Sequence, residues 1–177
     1  RAVPLPPKLF SHNDQQSVWQ SSAAEGAVRG WGGALGDLAL SSNGNALFTC
    51  ISVTGNAVYL AGSQALAYQI GAGGAIAING VAKPLFGSAA CSTALQTLIT
   101  QPRGQLLENE YTRIAARSIN SQQVLAGALA SAPNFDAQLP DTDPATRQNR
   151  PLNRQLKTVA RLISARQALG LKRQVFM

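Results

Sequence analysis

The chain contains few of the residues from which metal-dependent enzyme sites are built. Among 177 residues it has one histidine, two cysteines and eight acidic residues, and only 13% of the chain is charged. A site for two metal ions needs several nitrogen and oxygen ligands close together. One histidine and scattered acids cannot supply them, so the sequence predicts no metal or other cofactor bound by this chain alone.

Long apolar runs and closely spaced cysteines are also missing. No apolar run approaches the roughly 20 residues that cross a bilayer, so we expect no membrane span. Cys50 and Cys91 are too far apart for a Cys-x-x-Cys metal pair. They could form one disulfide in an oxidising compartment or remain two thiols in a reducing one, and the sequence does not decide between these.

Negative charge is missing from the last part of the chain. No acidic residue follows Asp143. A basic segment of this kind can bind phosphate groups or form the solvated face of a helix. We do not expect nucleic acid as a partner, because no stacking aromatics are interleaved with the basic residues and no known binding module is present. The basic residues are Arg147, Arg150, Arg154, Lys157, Arg161, Arg166, Lys172 and Arg173.

The reactive groups that are present concentrate in residues 11–16, followed by Trp19. A hydroxyl, an imidazole, a carboxamide and a carboxylate on adjacent residues can act as nucleophile, base, metal ligand or hydrogen-bond donor to an anion. The same residue types also form turns. The catalytic candidates are His12, Asp14 and Ser11, and the substrate-binding candidates are Asn13, Gln16 and Trp19.

The stretch 46–81 predicts a small antiparallel sheet, with short strands at 47–53, 57–60, 66–70 and 75–78 and a turn at Gly55-Asn56. Short runs of β-branched and aromatic residues alternate there with Gly, Asn and Ser, which is typical of hairpins. The glycine tract 71–74 predicts a hairpin turn and not a phosphate loop, since it lacks the Gly-Lys-Ser/Thr ending.

The second half predicts two long helices, at about 105–130 and about 151–169, with a loop at 133–150. In the second helix, an apolar stripe is expected to pack while the basic residues face solvent. Gly170 should end this helix, and residues 175–177 should begin a strand. The stripe consists of Leu152, Leu156, Val159 and Ile163, and the basic residues are Arg150, Arg154, Lys157 and Arg161.

A helix, a glycine stop and a new apolar strand form half of an α/β unit. Since the chain stops there and begins at Arg1 without an initiator methionine, we expect a middle fragment of a longer protein. The expected organisation is one incomplete domain over 1–177, with 46–81 as a β-rich cap or insert.

Several stretches, in order along the chain, together resemble a bacterial family called domain of unknown function 1501, of the alkaline phosphatase/sulfatase superfamily. No single stretch is diagnostic, but together they span nearly the whole chain. They are residues 9–20, Gly30-Trp31-Gly32-Gly33, Ile51-Ser52-Val53 with Gly55-Asn56, residues 156–163, and Gln174-Val175-Phe176.

The resemblance implies a partial alkaline-phosphatase-like α/β sandwich, exported by a twin-arginine signal to the periplasm or beyond. It implies that the main metal ligands lie outside this chain, before Arg1 and after Met177. Ser11, His12, Asn13 and Asp14 would lie near the same pocket, with Gln16 and Trp19 as wall residues. In the complete protein, His12 or Asp14 could then join a divalent metal site.

Two functions remain open at this stage. The first is a phosphoester or sulfoester hydrolase that is active only when complete, so the isolated chain should be inactive. The alternative is a non-catalytic surface or assembly protein of the same fold, in which strand edges of the 46–81 stretch pair with neighbours. The expected partner is the remainder of the polypeptide or a neighbouring chain.

Overall fold

The structure, a computed structural model, describes residues 10–23, 27–55 and 58–177. The chain divides into two compact units, the first formed by Arg1–Gly73 with Ala132–Met177 and the second by Gly74–Ser131. Residues 1–7, whose prolines predict an extended lead-in, and Asn56 of the expected turn lie outside the described residues.

The described residues form a mixed α/β structure, as the sequence predicts at this coarse level. Short 3₁₀ turns at Leu40–Ser42, Ala46–Phe48 and Val58–Leu60 connect the elements of the first unit. In chain order the helices are α1 (His12–Ser21), α2 (Trp31–Ala39), α3 (Ala89–Thr100), α4 (Leu106–Ala130) and α5 (Pro151–Ser164), and the strands are β1 (Cys50–Ser52), β2 (Ala67–Gln69) and β3 (Val175–Phe176).

The first unit contains a three-stranded sheet in the order β2-β1-β3. Both pairings are parallel, with Ile51 opposite Tyr68 on one side and Phe176 on the other. All three residues of β1 are buried, as the central strand of a covered parallel sheet should be. The expected strand at 175–177 is therefore confirmed, and it pairs with β1.

The expectation of an antiparallel arrangement at 46–81 is wrong for its two described strands, β1 and β2. A hairpin joins its strands through two to five residues, whereas the chain needs residues 53–66 to return from β1 to the start of β2. The 3₁₀ turn Val58–Leu60 lies on that return path, where a strand was expected. Residues 75–78, also expected as a strand, adopt no helix or strand.

Apolar side chains around β1 form the core of the first unit. Cys50, Tyr59, Leu60 and Ala65 make one buried cluster, against which Leu40, Ala67, Val175 and Met177 pack. Phe48, which is fully buried, meets the ring of Tyr68 edge to face at 5.0 Å. This core fixes β1 as the centre of the unit.

Asn43 holds the segments that lead into β1 and β3. Its Nδ2 donates to Thr49 Oγ1 at 2.9 Å and to the carbonyl of Arg173 at 2.8 Å. Its Oδ1 accepts from the amides of Lys172 and Arg173, at 2.8 and 3.1 Å. One amide side chain thus makes four hydrogen bonds that set the register of the two strands.

Helix α5 starts at the expected Pro151 and ends at Ser164, five residues earlier than predicted. Gly170 still stops the segment, because the amides of Gly170 and Leu171 donate to the carbonyls of Gln167 and Arg166 with Gly170 at φ +68°. This is the double hydrogen bond of a Schellman motif.

The expected orientation of α5 is wrong for its apolar stripe, whereas Arg150 and Arg154 are exposed as predicted. Leu152 is 62% exposed, and Leu156 and Ile163 are each 45% exposed, while Thr158 and Leu162 are the buried residues. The Lys157 side chain is only 14% exposed and forms ion pairs with the preceding loop. Lys157 is therefore turned toward the acids of the loop, and part of the apolar stripe faces outward.

The second unit contains α3 and α4. Helix α4 confirms the prediction of a helix at about 105–130 almost to the residue. Helix α3 was not predicted; Ser88 caps it by accepting from the amide of Cys91. Ser92, in its first turn, donates to the carbonyl of Lys83 and accepts from the amide of Leu85, which fastens the preceding chain to the helix.

Candidate functional site

The polar tract that the sequence singles out forms the first turn of α1. Ser11 is the N-cap, with its Oγ accepting from the amide of Asp14 at 3.4 Å. Asp14 is the acidic residue of the first turn, where a negative charge interacts favourably with the helix dipole. The turn-forming chemistry of this tract is therefore used to start a helix, and α1 ends at Ser22 with φ +58°.

Four of the six predicted site residues share one exposed face of α1. Residues three, four and seven apart lie on one side of a helix, which groups His12 with Gln16 and Trp19. All three are exposed, and the adjacent Asn13 is exposed as well. Asp14 is half-buried and lies about 200° around the helix from His12. We call His12, Asn13, Gln16 and Trp19 the α1 face.

Aromatic rings fix one end of the α1 face. The ring of Trp19 stacks on Tyr59 with centroids 5.9 Å apart and planes 21° apart. Trp31 meets Tyr59 edge to face at 4.5 Å, and its Nε1 donates to the carbonyl of Trp19 at 2.9 Å. Trp19 remains 63% exposed, so its ring is held in place and still reachable.

The glycines around Trp31 allow α2 to approach the chain very closely. A Cβ atom on Gly30 would overlap the carbonyl groups of Val58 and Tyr59, and one on Gly33 would overlap the backbone of Ala61. A Cβ on Gly32 would collide with the Tyr59 ring. The Gly-Trp-Gly-Gly sequence thus has a packing role, which is to bring Trp31 against Tyr59.

The α1 face lies toward the carboxyl ends of the strands. Gly36 of α2 packs against Cys50 at the start of β1, and Leu38 and Ala39, at the end of α2, lie beside residues 172–175, which lead into β3. Helix α2 therefore runs opposite to the strands, with Trp31 toward their carboxyl ends. Trp19 and the rest of the α1 face attach at that end through the aromatic cluster.

The described residues do not fit a metal centre of their own. No group of three or more His, Cys, Asp or Glu side chains in the described part of the chain could hold a metal ion. His12 and Asp14, the two ligands that the resemblance suggests, diverge around α1 and do not converge on one point. Any metal bound near the α1 face would need ligands from beyond the described residues.

The cysteines are both free thiols. Cys50 is buried in the core of the first unit, and burial raises its pKa to about 11. Cys91 is exposed on α3 of the second unit. Neither the buried position nor the raised pKa of Cys50 favours the reactive thiolate form.

Asp37 is a polar centre that the sequence did not single out. Its carboxylate accepts from the amides of Ser63, Gln64 and Ala65 at 2.7–2.9 Å. These hydrogen bonds, that from Ala65 first, hold its pKa below the usual value. Asp37 fixes the loop that leads from Tyr59 to β2, and a lone Asp in a helix gives no sequence signal of this role.

No described helix is both long enough and apolar enough to cross a membrane. No family model, curated protein or solved structure matches the chain. The resemblance to the domain-of-unknown-function 1501 family therefore stays a prediction from the quoted residues.

Proposed function

We propose that this chain is part of an exported, hydrolase-like protein of the alkaline phosphatase/sulfatase superfamily, in which the α1 face lines the pocket for an anionic ester. The observation that supports this most directly is the Trp19–Tyr59 stack, which holds the α1 face toward the carboxyl ends of a parallel sheet. Ligands of open α/β sheets bind at that end. The divalent metal of such a protein would take its main ligands from segments outside this chain.

The residues of the tract have different roles in this proposal. His12 is exposed and can donate a hydrogen bond or a proton to an ester oxygen, and Asn13 and Gln16 can donate from their amides. Trp19 forms the wall. Ser11 and Asp14 act through the start of α1, since Ser11 already accepts from the Asp14 amide and so sets the direction of the helix.

The test is ester hydrolysis by the complete protein, which carries the segments that the proposal requires. With aryl phosphate and aryl sulfate substrates, His12→Ala should lower kcat by about 100-fold or more, the usual contribution of a positioned acid or base. Glu110→Gln, an exposed change on α4, is the control and should leave kcat unchanged. Turnover that is unchanged in His12→Ala removes His12 from the site.

A second candidate function is favoured by the apolar surface of the first unit. Leu152 and Leu156 lie one turn apart on α5 and are both exposed, and contiguous exposed apolar surface marks interaction sites. In this alternative, the complete protein is a non-catalytic exported assembly component. Two results together would favour this alternative. The complete protein would hydrolyse no ester, and its complex with a defined partner would lose affinity when Leu152 and Leu156 are replaced by Gln.

A further inference from the structure

Helix α4 of the second unit carries a seam of regularly spaced residues, one half of which is exposed. The residues recur at alternating spacings of four and three, which is the period of a coiled coil. The last three members are buried, whereas Leu107 is 80%, Tyr111 67% and Ile114 47% exposed. The seam consists of Leu107, Tyr111, Ile114, Ser118, Ser121, Leu125 and Ala128, and we call the first four of these, all exposed, the open seam.

We propose that a second copy of this chain covers the open seam, with the two α4 helices antiparallel about a twofold axis. When this axis passes through residues 112–113, the side chain of Tyr111 packs beside the partner's Ile114. Leu107 then packs beside the partner's Ser118, whose small side chain leaves room for it. This proposal does not depend on the function proposed for the α1 face, and changes in the open seam should leave turnover there unaltered.

The charged residues beside the open seam favour this partner and this orientation. Glu110 and Arg117 are seven residues apart, and each directly precedes a seam residue, which is position g of the heptad. In an antiparallel pair the g positions of the two helices face each other, so Glu110 meets the partner's Arg117 twice in each dimer. A parallel pair would bring both residues against uncharged residues, the partner's Ala115 and the partner's Gln122. The pattern is therefore complementary to a second copy of itself only when the helices are antiparallel.

Glu110 can make this contact although it already has a partner within its own helix. Its Oε2 lies 3.1 Å from Nη1 of Arg113, and the two side chains are 50% and 73% exposed. Exposed ion pairs of this kind contribute little to stability. A carboxylate also accepts several hydrogen bonds, so Glu110 can accept from the exposed guanidinium of the partner's Arg117 without losing Arg113.

Apolar surface continues from the open seam onto α3. A cleft of about 480 Å³ lies between the two helices, and its lining includes Leu98, Leu107 and Tyr111. Leu98 is itself 58% exposed. A helix along the open seam therefore also covers part of α3, and the dimer brings two α3–α4 pairs together.

The expected dimer is weak and reversible. Residues 107–118 span about 18 Å of helix, which is a short interface. A dissociation constant on the order of 10–100 μM is typical of a small interface.

The test follows the mass of the full chain by sedimentation equilibrium from about 1 μM to about 1 mM, a range that brackets the expected dissociation constant. Glu110→Arg sets positive charges against each other, and Arg117→Glu sets negative ones. Each variant alone should raise the dissociation constant about tenfold or more, because the altered contact occurs twice in each dimer. An equal mixture of the two variants should form a heterodimer with the wild-type affinity, since opposite charges face each other again.

Arg113→Glu is the matched control. It reverses an arginine of the same helix at heptad position c, away from the open seam, and should dimerise as the wild type does. Leu107→Lys should also weaken the dimer about tenfold or more, because it places a charge in the apolar contact.

Four results would each overturn the proposal. The chain could remain monomeric up to about 1 mM, or the mixture could dissociate as readily as the single variants do. Arg113→Glu could weaken the dimer as much as Arg117→Glu does. A dimer that neither charge variant weakens would show that copies meet through another surface. The wild-type chain and the mixture decide even if Leu107→Lys folds poorly.

Discussion

At the scale of single residues, the sequence singled out a polar tract but not the place of each of its side chains in the helix that the tract begins. Ser11 caps α1, Asp14 lies in its first turn, and His12 and Gln16 share its exposed face. A list of reactive side chains cannot separate these roles, because the side on which a residue lies depends on the tract being helical. Asp37 was missed for the opposite reason, since its partners are backbone amides more than 25 residues away.

Asp37 should make the stability of the chain depend on acid. Its folded-state pKa lies below the ordinary 3.8. Its contribution to the stability of the folded state is therefore complete above about pH 4 and is lost as the pH falls through the lowered pKa. Asp37→Asn should lower the melting temperature at pH 7 by about 3 °C or more and flatten its decline below pH 4. Thermal unfolding from pH 7 to pH 2 measures both effects.

Gln64→Ala is the control for this experiment, because Gln64 meets Asp37 only through its backbone amide. That variant should keep the wild-type melting temperature and the wild-type acid dependence. An Asp37→Asn variant that loses stability in acid as steeply as the wild type would contradict the role assigned to the carboxylate. Part of the acid dependence will persist in Asp37→Asn, because Asp143 is a second carboxyl with a lowered pKa. The amides of Thr146 and Ala145 and the guanidinium of Arg150 lower the pKa of Asp143 to about 2.

At the scale of elements, long helices were predictable, but the direction of strands and the orientation of helices were not. Helix α4 carries its 3.6-residue pattern over 25 residues, so its ends could be placed closely. The sequences of the short strands β1 and β2 fit a parallel pairing as well as an antiparallel one. The path of the chain between the two strands decides which pairing forms. Periodicity showed that α5 has two faces, but it could not show that Lys157 of the basic face pairs with Asp136 and Asp141 of the loop.

Two leucines of α5 test this orientation. Leu162 is fully buried and Leu152 is 62% exposed. Leu162→Ala should therefore lower the free energy of unfolding by about 2–5 kcal/mol, whereas Leu152→Ala should change it by no more than about 0.5 kcal/mol. Urea unfolding of both variants provides the comparison, with the same chemical change on the same helix. If Leu152→Ala is the costlier change, the orientation of α5 predicted from the apolar stripe is right after all.

At the scale of the whole molecule, β2 and β3 are the two edge strands of the sheet that the described residues form. The α/β class was predictable from the order of helices and strands, while the partner of each edge depends on contacts that no local pattern encodes. At the β3 edge, the amides of Val175 and Met177 donate to the carbonyls of Thr49 and Ile51. Since hydrogen-bonding groups alternate along a strand, the amide of Phe176 faces away from β1.

This alternation predicts a pattern of amide hydrogen exchange along β3. In the chain by itself, the amide of Val175 should exchange at least about tenfold more slowly than that of Phe176, because only the former donates to β1. Exchange followed residue by residue by NMR at low protein concentration measures the ratio. Equal protection of both amides would contradict an open edge. Protection of Phe176 that grows with protein concentration would instead show that copies of the chain pair through β3.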